Sequence, residues 1–360
     1  MRIVTTARRL LSRQTAGARP LPTADFYFRG PLRDLIAEAD TSADAIRQIG
    51  PHCYACGANL VIIRYAAPDE LASIAARRWE SVRYIIDDLI PAAASSPELP
   101  ADYRNRLADF AANRLPRILA LHPTIVAPSK AILDTFPDHE GELLDPCCLA
   151  LADNRHMQPT AWTHPLRFAF LGTRSHEGSL DLVTAIADRL ASRLPGSTVH
   201  LFFGKHLPKH LRGHPSIRNS PPLAWPQFRR WMADAQFHAA LAPVQPTPFA
   251  RARSITKVMD HAEVGAVGLY GREPPFSQAV TDGVNGRLIS FDPDAWAECL
   301  IELAHHPDKA QAMAAAGIEL ARTRGNPARI RQFWMERLRL PDPAAPAAAP
   351  SPRPRPTPAD

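Results

Sequence analysis

The chain has 360 residues, is 46% hydrophobic and 22% charged, and carries a net charge of +6. That length supports two ordinary domains with their own cores, and no apolar run reaches the roughly 18 residues needed to span a bilayer. Five cysteines with no apolar leader argue against a disulfide framework and for a cytoplasmic protein, and no basic stripe interleaved with aromatics points to nucleic acid.

Residues 1–24 contain Arg2, Arg8, Arg9, Arg13 and Arg19 and no acid. They read as a basic flexible extension, suited to a weak peripheral contact with an anionic membrane at its inner face. Residues 25–155 form the first α/β domain. Apolar runs at 59–64, 82–88 and 124–129 predict strands, and 69–79 and 101–121 predict the helices between them. Cys53 and Cys56 have zinc or redox spacing. No second such pair exists, and Cys147 and Cys148 are adjacent, so the thiols read as structural and no metal site is expected.

Residues 160–325 alternate more clearly. Strands are predicted at 166–171, 199–203, 237–242, 266–270 and 287–290. Helices are predicted at 180–194, 226–234, 254–264, 295–305 and 308–323. A closing helix spans 326–340. The tail, 341–360, holds eight prolines and cannot build a core. His206, His210 and His214 are evenly spaced, but Pro208, Gly213 and Pro215 break the helix that would align them as metal ligands.

The chemistry concentrates in the second domain. Ser254 is placed to cap the 254–264 helix, which Gly265 stops. The free amides at that helix start suit a diphosphate. Lys257 adds a full charge in the first turn, with Arg253 and Arg251 just outside. Asp260 shares the face of Lys257 and can take bonds from ribose hydroxyls. Gly172, Arg174 and His176 occupy a strand-to-helix loop at the ligand edge of the predicted sheet. Asp87 and Asp88 end a strand of the first domain, where an acid can orient or deprotonate an acceptor hydroxyl.

Four segments carry a resemblance in chain order: Gly172-Thr173 with His176 after a strand; the strand running to the Pro243 corner; Ser254-x-x-Lys257-x-x-Asp260-x-x-x-x-Gly265; and Asp282-Gly283-x-Asn285-Gly286. Together they resemble the donor half of GT4-like glycosyltransferases (glycosyl transferase group 1). The resemblance implies a GT-B fold, with two Rossmann-like doubly wound α/β domains facing a cleft, the first one reduced. It implies a nucleoside-diphosphate sugar as donor, a polysaccharide or glycolipid-type acceptor, retention at the anomeric carbon, and no bound metal or cofactor. It implies Lys257 on the donor diphosphate and Asp260 on its ribose. With the reading of the residues themselves, Lys257, Asp88 and His176 are the catalytic candidates, and Gly172, Arg174, Arg253, Ser254, Lys257 and Asp260 the donor-binding ones. Ala252 stands where many such enzymes carry a second carboxylate. That substitution suggests the alternative, a non-catalytic partner of an active transferase.

Overall fold

The computed structural model describes residues 21–36, 45–152, 158, 162, 165–172 and 174–340, with the side chains of Arg174 and Ser175 excepted. The basic stretch to residue 20, the tail at 341–360 and most of the domain boundary at 154–164 lie outside the described residues.

Two six-stranded sheets organise the chain. The first contains β1 (Arg47–Gly50), β2 (Cys53–Cys56), β3 (Asn59–Ile63), β4 (Ser81–Ile85), β5 (Thr124–Ala127) and β6 (Gly141–Leu143), ordered β1-β2-β3-β4-β5-β6. β1, β2 and β3 form an antiparallel meander, and β3 to β6 run parallel. The second contains β7 (Arg167–Ala169), β8 (Thr198–Leu201), β9 (Ile217–Asn219), β10 (Ala239–Ala242), β11 (Val267–Gly271) and β12 (Arg287–Ile289), ordered β12-β11-β10-β7-β8-β9 and parallel throughout.

The order of the second sheet has a consequence. Connections from β7 wind one way through β8 and β9, and from β10 the other way through β11 and β12. Adjacent strands β7 and β10 therefore send their following loops to opposite faces, which leaves a crevice at their C-terminal ends.

Several elements depart from the sequence reading. The helix expected over 101–121 is broken into Ala101–Asn113 and Leu115–Leu119. Pro116 is the reason: it lacks an N–H and its ring clashes with the preceding turn, so it fits only at a helix start. The Cys53-x-x-Cys56 segment is strand β2, buried along its whole length. All five cysteines are free and buried, and burial pushes the Cys147 thiol up to about 12. The expected extension to residue 24 also ends early. Pro22–Ala24 is helical, with Thr23 and Ala24 buried, and helical turns continue to Leu32.

That N-terminal segment is a wedge. Phe28 packs on Tyr54 of β2 and edge-on to Trp334, with ring centroids 5.0 Å apart in both pairs. Phe26 meets Trp225 of the second half at 5.5 Å. The Trp225 indole N–H donates to Asp25 Oδ2 at 2.6 Å. Each half has its own apolar core, and a third core around the wedge joins them. The closing helix, Pro327–Leu338, returns to the first half. Its Trp334 indole donates to the Tyr27 carbonyl at 2.5 Å, and Arg337 reaches both Glu142 oxygens at 2.9 Å.

Trp334 is fully buried. Trp334→Ala should cost about 3–5 kcal/mol in urea unfolding, the usual range for removing a buried large aromatic; a loss below about 1 kcal/mol would mean that the closing helix does not tie the halves together.

Candidate functional site

The crevice predicted by the strand order opens as a cleft with a water-accessible volume of about 220 Å³ between the two halves. One wall is built from the loops after β7 and β10 and from the segment entering the Thr256–Glu263 helix. It presents Gly172, His176, Arg253, Ser254, Thr256 and Lys257. The other wall comes from the first half and the wedge, and presents Thr23, Arg64, Asp87, Asp88, Glu98 and Tyr103.

The loop after β7 is tight. A Cβ on Gly172 would sit 2.7 Å from the Phe170 ring and 3.0 Å from His176 Cβ, so only glycine lets His176 fold back onto Phe170. The two rings meet edge-on at 6.2 Å. Arg174 lies in the helical turn Arg174–Ser179, with its side chain outside the described residues.

The Thr256–Glu263 helix starts later than the sequence suggests. Its N-cap is Ile255, and Ser254 precedes the cap. The serine hydroxyl still works for the helix start. It accepts from Thr256 N–H at 3.3 Å and shares a hydrogen bond with Thr256 Oγ1 at 2.5 Å. Gly265, at φ +66°, ends the helix in the left-handed conformation that glycine adopts freely.

Lys257 donates to the Leu171 carbonyl at 2.5 Å and to Asp260 Oδ2 at 2.8 Å. Its ammonium is therefore fixed between the helix and the β7 loop. Asp260 departs from its expected role. It is buried behind Lys257, does not line the cleft, and its Oδ1 has no hydrogen-bond partner. Its visible work is to hold the lysine. Arg253 lies over Phe249, 5.4 Å from the ring centroid. Arg251 turns outward to Glu273 at 2.9 Å.

The back of the helix is apolar and carries two buried titratable groups. His261 stacks on Tyr270 at 5.1 Å, with neither ring nitrogen hydrogen-bonded. Burial, with Lys257 nearby, holds it well below its ordinary value, so it stays neutral. Burial pushes Glu263 up to about 7, against the opposing pull of Arg229.

Across the cleft, Asp88 is paired rather than free. Arg64 donates to Asp88 Oδ2 and to Tyr65 Oη. Its Nε lies 3.0 Å from Asp87 Oδ1, an ion contact outside hydrogen-bond geometry. Thr23 of the wedge donates to Asp87 Oδ2 at 2.8 Å and accepts from Arg64 at 3.0 Å. Burial works against the charge on Arg64, but Asp87 and Asp88 outweigh it and hold its pKa above the ordinary value. Burial raises Asp87, with Arg64 opposing. Arg64 sits at φ +50°, a strained conformation for an arginine that persists only when surrounding contacts enforce it.

Sequence reasoning missed Arg64, Thr23 and Glu98. A signal for Arg64 existed: it ends the strand run at 59–64 as the two aspartates end the next. β3 and β4 pair in parallel with Ile63 opposite Ile85, so both charged ends reach one edge. Nothing local marks Thr23 or Glu98. The Asp282–Gly286 motif forms a tight turn, with Gly283 at φ +75°, and does not line the cleft. Among the described residues, no group of three or more His, Cys, Asp or Glu side chains is placed to hold a metal ion, and no helix is long and apolar enough to cross a membrane.

Two α/β halves facing a cleft, the second with its strand order reversed at β7 and β10, define a GT-B fold. Solved structures bear this out. HepE from Anabaena, in complex with UDP and glucose, is similar with a TM-score of 0.52 and 18% identity, over 78% of this chain and 77% of that one. The pneumococcal O-GlcNAc transferase GtfA, with UDP and GlcNAc, has a TM-score of 0.53 and 12% identity, over 78% of this chain and 56% of that one. Sucrose-phosphate synthase from Thermosynechococcus elongatus has a TM-score of 0.53 and 10% identity, over 78% and 72%. No protein-family model and no curated protein matches the chain.

Two outcomes follow. Lys257→Met strands the buried Asp260 carboxylate and should cost about 3–5 kcal/mol; adding Asp260→Asn should recover a large part, a coupling readable in a double-mutant cycle. Additive effects would sink the pairing. Glu263 titrates higher in the fold than its ordinary 4.5, so its contribution is full below about 4.5 and is lost as pH rises through about 7. Wild-type stability should carry a decline of order 2–3 kcal/mol over that window, and Glu263→Gln should remove it. An unchanged pH profile in the variant would overturn the assignment.

Proposed function

We propose that this chain is a glycosyltransferase that moves a sugar from a nucleoside-diphosphate sugar to a hydroxyl acceptor of polysaccharide or glycolipid type. The reading extends to a GT4-type enzyme that retains anomeric configuration and works without bound metal or other cofactor. The observation that carries it is the convergence of Lys257, Arg253, Ser254 and a helix start on the strand ends where the β7–β10 order reverses.

Cleaving the anomeric bond leaves a diphosphate anion, and the transition state gains from donors already aimed at it. Lys257 is held in place before any ligand arrives, so little side-chain freedom is lost when an anion binds. Arg253 and the Ser254–Thr256 turn sit beside it. His176 faces the same space from the β7 loop. On the other wall, Asp88 and Arg64 are placed to orient an acceptor hydroxyl, with Asp88 as the group to receive its proton. HepE and GtfA were both solved with UDP, which makes UDP the first nucleotide to try.

A second reading rests on Ala252. It is fully buried, and its carbonyl accepts from the Ser129 hydroxyl at 2.7 Å. The position has no carboxylate. A protein that binds donor without turning it over would fit a non-catalytic partner.

The test is thermal unfolding with UDP, UDP-sugars and other nucleoside-diphosphate sugars, followed by product analysis. A ligand at about 100 times its dissociation constant adds roughly 2.7 kcal/mol, a shift of a few degrees. That shift should vanish in Lys257→Ala, measured against the variant's own baseline. Absence of any shift in the folded wild type would overturn the nucleotide-sugar reading; a shift without donor turnover would favour the non-catalytic one.

A further inference from the structure

The two walls of the cleft differ in charge. The first-half wall contains three carboxylates, Asp87, Asp88 and Glu98, against one guanidinium, Arg64. Arg64 is occupied by both aspartates. Glu98 has no such counter-ion among the described residues. Its Oε1 accepts from the Thr247 hydroxyl at 2.9 Å, while its Oε2 is buried with no hydrogen-bond partner. Burial raises Tyr65 and Tyr103, so neither phenol adds charge near neutral pH. The wall therefore carries a net charge of about −2, or about −1 if Asp87 holds a proton. Both values are negative.

Glu98 lies where the two halves meet. A Cβ added at Gly178 would lie 2.9 Å from Glu98 Cβ and 3.1 Å from its carbonyl oxygen. The turn that carries His176 thus abuts the segment that carries Glu98, and the Thr247 hydroxyl holds its carboxylate at the seam. The opposite wall supplies Lys257 and Arg253, which the proposed function commits to the donor diphosphate.

We infer that the acceptor is a neutral or amine-bearing polyol, and that this wall rejects acceptors with an anionic group beside the reacting hydroxyl. The inference rests on the proposed function. An acceptor anion would lie between the donor diphosphate and the Asp87–Asp88–Glu98 wall, with negative charge on both sides in a partly desolvated space where charges are weakly screened. Neutral hydroxyls and ammonium groups meet the same carboxylates as hydrogen-bond donors. Discrimination of this kind acts by penalising the wrong ligand.

The experiment compares three matched acceptors, the p-nitrophenyl glucoside, 2-amino-2-deoxyglucoside and glucuronide, with the donor that wild type binds. UDP affinity and donor hydrolysis are measured on the same preparation. The glucoside and the amino sugar should exceed the glucuronide at least tenfold in kcat/KM. Glu98→Gln, which keeps the shape and removes the charge, should narrow that gap severalfold while UDP affinity holds. The inference is overturned by a glucuronide used as well as the others, by a gap unchanged in Glu98→Gln, or by a protein that binds UDP and uses none of the three. A wild type that binds no UDP overturns the donor reading itself, and the acceptor inference falls with it.

Discussion

Everything in the cleft depends on how the two halves are held together, and that rests on the burial of Phe26, Tyr27 and Phe28 between them. Phe28 faces Tyr54 and Trp334, while Phe26 faces Trp225. A buried side chain of this size contributes about 1.5–3 kcal/mol by transfer alone, and edge-on aromatic pairs add to that. The wedge also delivers Thr23 to Asp87. The contacts that join the halves and the contacts that shape the first-half wall of the cleft therefore lie on the same dozen residues.

The polar groups of the cleft come largely prepaired. Lys257 is tied to Asp260 and Leu171, and Arg64 to two aspartates and two hydroxyls. Burying such charges is expensive, and paired geometry offsets the cost without generally making the fold more stable than an apolar core would. What the pairing secures is direction. A lysine clamped at two points and an arginine held at positive φ cannot relax away when a ligand arrives, which suits groups that must act on developing charge.

Much of this was legible in the sequence, for identifiable reasons. The second half alternates long apolar runs with periodic helices, so its parallel sheet could be read directly. Gly172 and Gly265 stood where the backbone requires glycine. Less legible was whatever depends on contacts distant in sequence. Strands β6 and β9 carry a single large apolar residue each, Leu143 and Ile217, and so lack the apolar run that marked the equally short β7. Ser254 looked like a cap because its residue type is right, yet the chain turns one residue later. Asp260 lay on the face of Lys257 as expected, but spacing along a helix does not say which of two neighbours faces solvent. Tertiary packing placed the lysine at the cleft and the acid beneath it. Glu98 became visible only once the loop at Gly178 met it from the other half.

The wedge also constrains the order in which the chain assembles. Tyr27 and Trp334 are 307 positions apart and share a hydrogen bond, so the wedge meets its partner only after both halves have been made. Until the closing helix appears, Phe28 has only part of its final surroundings, and the first half must wait with an apolar face exposed. Contacts that close so long a loop are entropically costly to form early. Nascent chains of this protein should thus be more dependent on chaperones than either half's local topology suggests, and the cleft is a late product of synthesis.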